Sequence, residues 1–349
     1  MSGKNFGGNY FEDFRVGQVL NHATPRTVTV GDASLYTALY GTRFAVNSSD
    51  EFARSIGLER SPVDDLLAFH MVFGKTVPDV SLNAVANLGY ANGLFGVPVY
   101  PGDTVTTTST VTGLKQNSNG RTGVVYVNSV GRNQRGEVVL DYTRWVMVNK
   151  GDMDAPEPDA VLPELPTAVP AESLVLPDLT LGAYDRALAG SEFGWDDYEI
   201  GEQIDHVDGM TIEEAEHQLA TRLYQNTAKV HFDQFAANAG RFKRRLIYGG
   251  HIISLARALS FNGLANAFKV LAINAGSHAN PTFAGDTIYA YSEVLDKFEI
   301  PDSSDVGALR LRLVATKDRP AGDFPYKGDD NKYDPSVVLD FDYTVALPR

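Results

Sequence analysis

Cysteine is absent from all 349 residues of the chain, which excludes disulfide bonds, thiolate nucleophiles and cysteine-ligated metal sites. Long apolar runs are also absent, and the first residues, MSGKNFGGNYFEDF, lack the apolar segment of a secretion signal. We therefore expect a cytoplasmic protein with no membrane partner. Basic residues are outnumbered, 30 against 44 acidic ones, and the net charge of −14 argues against nucleic acid as a partner.

The chain contains an internal repeat at an offset of about 184 residues. FEDFRVGQ at 11–18 matches WDDYEIGE at 195–202 in its aromatic, acidic and glycine positions, and the same register aligns Tyr40 with Tyr224. With 43% hydrophobic residues, the chain is long enough for two cores of ordinary domain size. The repeat therefore predicts two similar halves.

The last strands of the two copies also match, once an extra loop is allowed in the second copy. VVLDY at 138–142 corresponds to VVLDF at 337–341, and the extra loop is predicted at 317–334. A stretch rich in Pro, Asp, Glu and Ala lies between the copies and has the composition of a semi-rigid linker. The predicted boundaries are residues 1–148 for the first repeat, 149–190 for the linker and 191–349 for the second repeat.

Each copy shows a long apolar helix followed by several β-rich runs. The first long helix is predicted over 62–77, with proline at its start, acids in its first turn and lysine in its last, and its counterpart over about 249–261. Alternating runs such as TVTTTSTVTGL and GALRLRLVAT predict antiparallel strands. A sheet of long strands buries one such helix by curling around it. We predict an α+β double hotdog.

These segments resemble the MaoC-like hydratases and dehydratases. FEDFRVGQ, RTVTVGDASLYTALYG and PGDT are similar to the opening, first helix and mid-sheet turn of that family, and QNTAKVHFD with GRFKRRLIYGGHIISLARALSFNGL resembles its mesaconyl-CoA hydratases. The resemblance implies a homodimer or higher homo-oligomer that reversibly adds water to mesaconyl-CoA, giving β-methylmalyl-CoA. Hydration of other short or medium enoyl-CoAs, a thioesterase and an acyl-binding module are the alternatives.

The catalytic motif of the family has an aspartate and, five residues later, a histidine. In NTAKVHFD, Asn226 takes the aspartate position, His231 takes the histidine position and Asp233 follows. Because an amide does not accept a proton at neutral pH, we expect His231 to be the general base and Asn226 to orient water through its carbonyl. A carboxylate at Asp233, Asp64 or Asp65 is the open alternative.

The matching positions in the first repeat are Thr42 and Asn47. Neither is a base at neutral pH, so we expect one active site per chain, with the first half shaping its pocket. The resemblance also implies that Gly249 donates its backbone N–H to the thioester oxygen at a helix N-terminus, with Tyr248 and Gly250 beside the substrate. A simple tight turn is the alternative for this glycine pair.

RFKRR, at 241–245, is the densest basic cluster in this acidic chain. We expect Arg244 or Arg245 to hold the substrate carboxylate in a two-pronged contact. Lys243 and Arg241 would then face the CoA phosphates, with Arg257 following on the next helix. A solvated loop without a specific ligand is the alternative.

Several histidines are assigned no catalytic role. His70 and His251 lie in apolar helices, where a hydrogen-bonded structural role is expected, and His278 precedes a turn. No His, Asp and Glu set has metal-site spacing, and no phosphate-binding or dinucleotide motif occurs. We expect no metal and no cofactor apart from the coenzyme A of the acyl-CoA substrate.

Overall fold

The computed structural model describes residues 4–301 and 303–349. The strands within these ranges are β1 (Val19–Thr27), β2 (Ala84–Phe95), β3 (Thr104–Gln116), β4 (Thr122–Arg132), β5 (Val138–Asn149), β6 (Gln203–Asp205), β7 (Met210–Thr211), β8 (Lys269–Ser277), β9 (Thr287–Glu299), β10 (Val306–Lys317) and β11 (Val337–Pro348). The α-helices are α1 (Val30–Tyr40), α2 (Ala45–Ser48), α3 (Asp50–Ser55), α4 (Asp65–Thr76), α5 (Arg186–Ala189), α6 (Glu214–Leu223), α7 (Lys229–Phe232), α8 (Gln234–Ala237), α9 (Gly249–Leu259) and α10 (Phe261–Leu264).

The strands form one antiparallel sheet in the order β1-β3-β4-β5-β2-β8-β11-β10-β9-β6, with β7 paired to β9. At its centre β2 pairs with β8, from Tyr90 opposite Gly276 to Leu94 opposite Ala272, and this pairing joins the two half-sheets. Helix α4 packs against β3, β4 and β5, and α9 packs against β9, β10 and β11. This is the α+β double hotdog that the sequence predicts.

The two central helices are buried on every side. In α4 the residues from Leu66 to Thr76 are all buried, and the Asp64 carboxylate caps the helix by accepting the Leu66 N–H. The helix therefore begins at Asp65, three residues after the predicted start at residue 62, because the backbone is still extended at Asp64. In α9 every residue after Gly249 is buried. A helix that is apolar all round needs a sheet curved around it.

Residues that match in the repeat meet each other at the axis between the halves. The hydroxyl oxygens of Tyr40 and Tyr224 lie 2.6 Å apart, and His70 Nε2 lies 2.8 Å from Ser254 Oγ. Both pairs are separated by 184 residues in the sequence. The halves are thus related by an approximate two-fold axis, and the predicted alignment of Tyr40 with Tyr224 is correct.

The chain between β5 and β6 contains only short helical turns, and it lies against both halves. Val161 exchanges backbone hydrogen bonds with Leu114 in the first half, and the Val169 N–H donates to Asn274 Oδ1 in the second half. These contacts fit a tether laid along the surface. Among residues 4–301 and 303–349, no helix has the length and apolarity required to cross a membrane.

Replacing Gly74 with alanine tests the packing at the two-fold axis. A methyl group at Gly74 overlaps the carbonyl oxygen of Tyr224. Although alanine favours a helix by about 1 kcal/mol over glycine, we expect the overlap to lower the free energy of unfolding by about 1–3 kcal/mol. Urea unfolding measures the change. Gly182→Ala, where a methyl group meets no atom within 4 Å, should leave the midpoint unchanged, and an equal shift in both variants contradicts the interpretation.

Candidate active site

A cavity of about 330 Å³ opens between the two halves. The second half contributes His231, Asn226, Tyr248, Gly249 and His278 to its lining. The first half contributes Phe73, Asn87, Tyr90 and Arg144. Among the described lining residues there is no Asp or Glu. The side chains of this lining that can accept a proton at neutral pH are therefore its imidazoles.

His231 is held as a neutral base. Its Nδ1 lies 2.9 Å from the Leu246 carbonyl oxygen, which can only accept, so Nδ1 carries the proton and Nε2 carries the lone pair. Burial lowers the pKa of His231 to about 4, and the bond to Leu246 only partly offsets this. At neutral pH the ring is uncharged, and the cavity is lined by an imidazole that can accept a proton.

The Asn226 carbonyl, which the sequence predicts to orient water, already accepts one backbone hydrogen bond. Its Oδ1 accepts the Ala228 N–H at 3.0 Å, which also fixes the orientation of the amide. Because a backbone N–H requires an acceptor, the side-chain oxygen is used in holding the loop that carries His231. The NH₂ of Asn226 can donate hydrogen bonds to an oxygen of water or substrate, and Oδ1 keeps a second lone pair for a further donor.

The three carboxylates considered as partners of His231 lie outside the cavity lining. Asp233 caps α8 by accepting the Ala236 N–H, and Asp64 caps α4. Asp65 pairs with Lys269 at 2.9 Å and accepts the Val270 N–H. Each carboxylate is engaged in local structure, so the structure gives no support to a catalytic role for Asp233.

The N-terminus of α9 borders the cavity through Tyr248 and Gly249. The Tyr248 side chain does not cap the helix, and the first turn contains no acid, so the N–H groups of the first turn keep their positive potential. The His278 ring packs directly on the Cα of Gly249, where any side chain would overlap it. Gly250 instead packs against the rings of Tyr248 and His70 and does not line the cavity.

The basic cluster does not hold a cavity-bound carboxylate, because its side chains are directed elsewhere. Arg245 pairs with Glu214 at 2.6 Å, and Arg244 donates to the Ala284 carbonyl. Arg257 is buried over the Phe44 ring, 3.7 Å from its centre. These three arginines, together with Arg241 and Lys243, are absent from the cavity lining. The structure therefore gives no support to the sequence prediction that Arg244 or Arg245 binds the carboxylate at this cavity.

Two cavity residues were not predicted as site residues: His278, to which the sequence assigned no catalytic role, and Arg144. His278 lies directly after β8, and its Nε2 is 3.3 Å from the Tyr90 hydroxyl; burial lowers its pKa to about 4. Arg144 lies in β5, where Leu140, Tyr142 and Val146 alternate on the buried face. Arg144 occupies a position that the alternation of the strand assigns to the buried, apolar face. A charged residue at such a position is the sequence signal that could have identified it.

The equivalent region of the first half is closed. Asn47, which lies 184 residues before His231, donates from its amide to the Pro62 carbonyl, as His231 donates to Leu246. Asp65 stands at the position of Gly249, and its ion pair with Lys269 fills the space. Only about 20 Å³ remains, bordered by linker residues Pro177 and Leu179. This half keeps the hydrogen bond but has neither the base nor the space for a substrate.

His70 and His251 are both buried and hydrogen-bonded outside the cavity lining, to Ser254 and Tyr40. A third buried histidine, His217, accepts the Tyr248 N–H through Nε2. These rings lie behind the cavity wall, where they pack between α6, α9 and the first half. They support the position of Tyr248 beside the cavity.

The family model described as Mesaconyl-CoA hydratase matches residues 3–325. The chain is 65% identical to the beta-methylmalyl-CoA dehydratase of Chloroflexus aurantiacus, over 100% of this chain and 99% of that one. It is 60% identical to the mesaconyl-CoA hydratase of Cereibacter sphaeroides, over 99% of this chain and 100% of that one.

Solved structures agree on the fold. A putative MaoC domain protein dehydratase from Chloroflexus aurantiacus superposes with a TM-score of 0.98 and 65% identity, covering 100% of this chain and 99% of that chain. A conserved Mycobacterium tuberculosis protein with a double hotdog fold superposes with a TM-score of 0.78 and 25% identity, covering 99% of this chain and 100% of that chain.

The buried histidines predict a loss of stability in mild acid. Burial holds the pKa of His206, His231 and His278 at about 4 in the folded protein. The other buried histidines whose pKa is lowered are His70, His217 and His251. In the unfolded chain each titrates near pH 6.5. As the pH falls below 6.5, the unfolded state therefore binds more protons, and the free energy of unfolding falls by up to about 1.4 kcal/mol per pH unit for each histidine.

One group acts in the opposite direction, because burial raises the pKa of Asp64 to about 6. We still expect urea midpoints to fall steadily between pH 6.5 and 5, since several histidines outweigh one carboxyl. In His278→Gln the free energy of unfolding should depend less steeply on pH, by the contribution of about one bound proton. Midpoints that stay constant or rise on acidification over this range contradict the prediction.

Proposed function

Because the chain belongs to the mesaconyl-CoA hydratase family, we propose that it catalyses the reversible hydration of mesaconyl-CoA to β-methylmalyl-CoA in the cavity between its halves. It is a hydro-lyase whose substrate is an acyl-CoA. The observation that carries the assignment of the site is the neutral, Nε2-basic His231 in the same cavity as the N-terminus of α9. The homo-oligomer and the cytoplasmic location stay predictions.

Water addition requires a base for the water and a site for negative charge. In mesaconyl-CoA, which is 2-methylfumaryl-CoA, the β-carbon carries the free carboxylate and the α-carbon carries the methyl group. His231 Nε2 takes a proton from water as the oxygen bonds to the β-carbon, and the double-bond electrons move toward the thioester. The imidazolium then returns a proton to the α-carbon. One imidazole therefore carries out both proton transfers, and atoms and charge balance over the reaction.

The thioester oxygen gains negative charge between these two steps. The Gly249 N–H lies at the first position of α9, where no intrahelical acceptor exists and the helix dipole is positive. We assign the oxyanion contact to this group, because it borders the cavity and carries no side chain. Arg241 and Lys243, on the loop before α9, remain our candidates for the CoA phosphates.

His231→Ala tests the assigned base. We expect kcat/KM for mesaconyl-CoA hydration to fall by about 10²–10⁴-fold, because general-base catalysis is lost. The loss of enoyl-thioester absorbance measures the rate, and mass spectrometry identifies the product. Asn47→Ala, the matched change in the closed half, should keep wild-type kcat/KM. Similar activity in His231→Ala and wild type contradicts the assignment of the base. Hydration of crotonyl-CoA but not of mesaconyl-CoA by the wild type contradicts the proposed substrate.

Gly249→Ala tests the oxyanion contact. The new methyl group overlaps the His278 ring, so the helix end or the ring must shift away from the reacting oxygen. We expect kcat to fall by about 10²-fold or more, as when an oxyanion donor is lost, with a smaller change in KM. Steady-state kinetics distinguish the two parameters. An unchanged kcat in a folded variant contradicts the assignment.

A further inference from the structure

Arg144 is fully buried beside the cavity without a carboxylate partner. Its guanidinium contacts three neutral oxygens: Thr76 Oγ1 at 2.7 Å, Ser81 Oγ at 3.3 Å and Asn87 Oδ1 at 3.5 Å. A guanidinium has five N–H donors, and Nε has no partner among the described residues. A buried cation without a carboxylate partner lowers the stability of the fold unless a bound anion pairs with it.

Other arginines of the chain are close to carboxyl groups. Arg26 pairs with Asp32 and Arg310 with Asp342, each at 2.6 Å. Arg257, which is also buried, lies near enough to Asp64 to lower the pKa of that carboxyl. The titratable neighbours of Arg144 are tyrosines, whose hydroxyls are uncharged at neutral pH because burial raises their pKa, and burial also lowers the pKa of Arg144 itself. Its charge is therefore compensated less than that of these other arginines.

The repeat shows that the position of Arg144 is specific to the open half. The alignment of VVLDY with VVLDF places Arg144 opposite Tyr343, and the offset of 184 places Phe73 opposite Arg257. In the first half the cation is on the strand, with Cζ 4.3 Å from the centre of the Phe73 ring. In the second half the cation is on the helix. Only the arginine on the strand lines the cavity.

Arg144 shares an aromatic wall with the catalytic groups. The Phe73 ring, which the guanidinium covers, lies 5.6 Å from the Tyr248 ring and 6.3 Å from the Tyr90 ring. Tyr248 in turn contacts His231, at 5.5 Å between ring centres. The cation and the base therefore border the same cavity and are connected through the rings of Phe73 and Tyr248.

We propose that Arg144 binds the free carboxylate of the acyl group and so selects a dicarboxylic acyl-CoA. The inference rests on the proposed function and names the residue that confers its substrate class. The carboxylate is attached to the carbon that water attacks, so it must lie deep beside His231, whereas the CoA phosphates lie at the far end of a long pantetheine arm. Pairing with Arg144 also offsets the repulsion between this carboxylate and the incoming hydroxide.

Binding of unreactive analogues tests the inference separately from turnover. The saturated thioester 2-methylsuccinyl-CoA keeps the carboxylate, and 2-methylbutyryl-CoA has a methyl group in its place. In wild type we expect calorimetry to show tighter binding of the first by about 10²-fold, the effect of a buried charge-assisted contact. In Arg144→Gln we expect this preference to disappear, through weaker binding of 2-methylsuccinyl-CoA only.

Two variants separate recognition from structural damage. Arg144→Lys keeps the charge but loses the planar fork, so it should keep part of the preference. Arg244→Gln lies outside the cavity and should alter the affinity for both analogues by the same factor. A folded Arg144→Gln protein that retains the wild-type preference overturns the inference, as does a wild type without any preference.

Kinetics distinguish a failure of this inference from a failure of the proposed function. If wild type does not hydrate mesaconyl-CoA, the proposed function fails whatever Arg144 does. If wild type hydrates it and kcat/KM of Arg144→Gln falls by about 10²-fold or more, with activity on tiglyl-CoA unchanged or raised, both stand. Tiglyl-CoA has a methyl group where mesaconyl-CoA has its carboxylate. An equal fall on both substrates overturns the role of Arg144 in selection.

Discussion

The antiparallel pairing of β2 with β8 is the constraint on which the site depends. It joins the two half-sheets edge to edge and leaves one continuous surface around both central helices. Because Tyr90 pairs with Gly276, the first half is brought against His278, two residues further along. The absence of a side chain at Gly276 lets the Tyr90 ring approach closely. Without this pairing the cavity would have only one wall.

The two halves share the same backbone arrangement but differ in the side chains at the positions of the proposed active site. The bond from position 231 to the Leu246 carbonyl has its counterpart at Asn47 and Pro62, so the local backbone is preserved. The first half replaces the helix-start glycine with Asp65 and thereby fills its own pocket. The duplicated fold thus keeps one site, to which the first half supplies a wall and a cation.

Charge is distributed unevenly between the surface and this cavity. The chain as a whole carries −14, which opposes an anionic substrate at long range. Inside, the described lining contains no carboxylate, the imidazoles are neutral because burial lowers their pKa, and Arg144 is positive. The nearby charge of Arg144 acts on a bound anion more strongly than the distant surface charges do, because screening by water and salt is weakest in the interior.

The sequence alone determined the fold and led to the proposed base. Apolar periodicity and the repeat identify the two buried helices and the alignment of Tyr40 with Tyr224, because these signals are local or recur at a fixed offset. The resemblance of NTAKVHFD and of the segment before α9 to the family motifs led to the proposed roles of His231 and Gly249. Density of charge, however, pointed to RFKRR, because a sequence shows where cations are numerous and not which way they point.

Only the tertiary structure decided which polar groups share the cavity. Arg144 and His278 lie 134 residues apart, and the β2–β8 pairing brings their strands onto one wall. Likewise, Arg245 is neutralised by Glu214 and Asp233 is a helix cap, facts that depend on contacts across loops. Composition and spacing carry no information on such partners, because the free energy of a charge is set by what surrounds it in space.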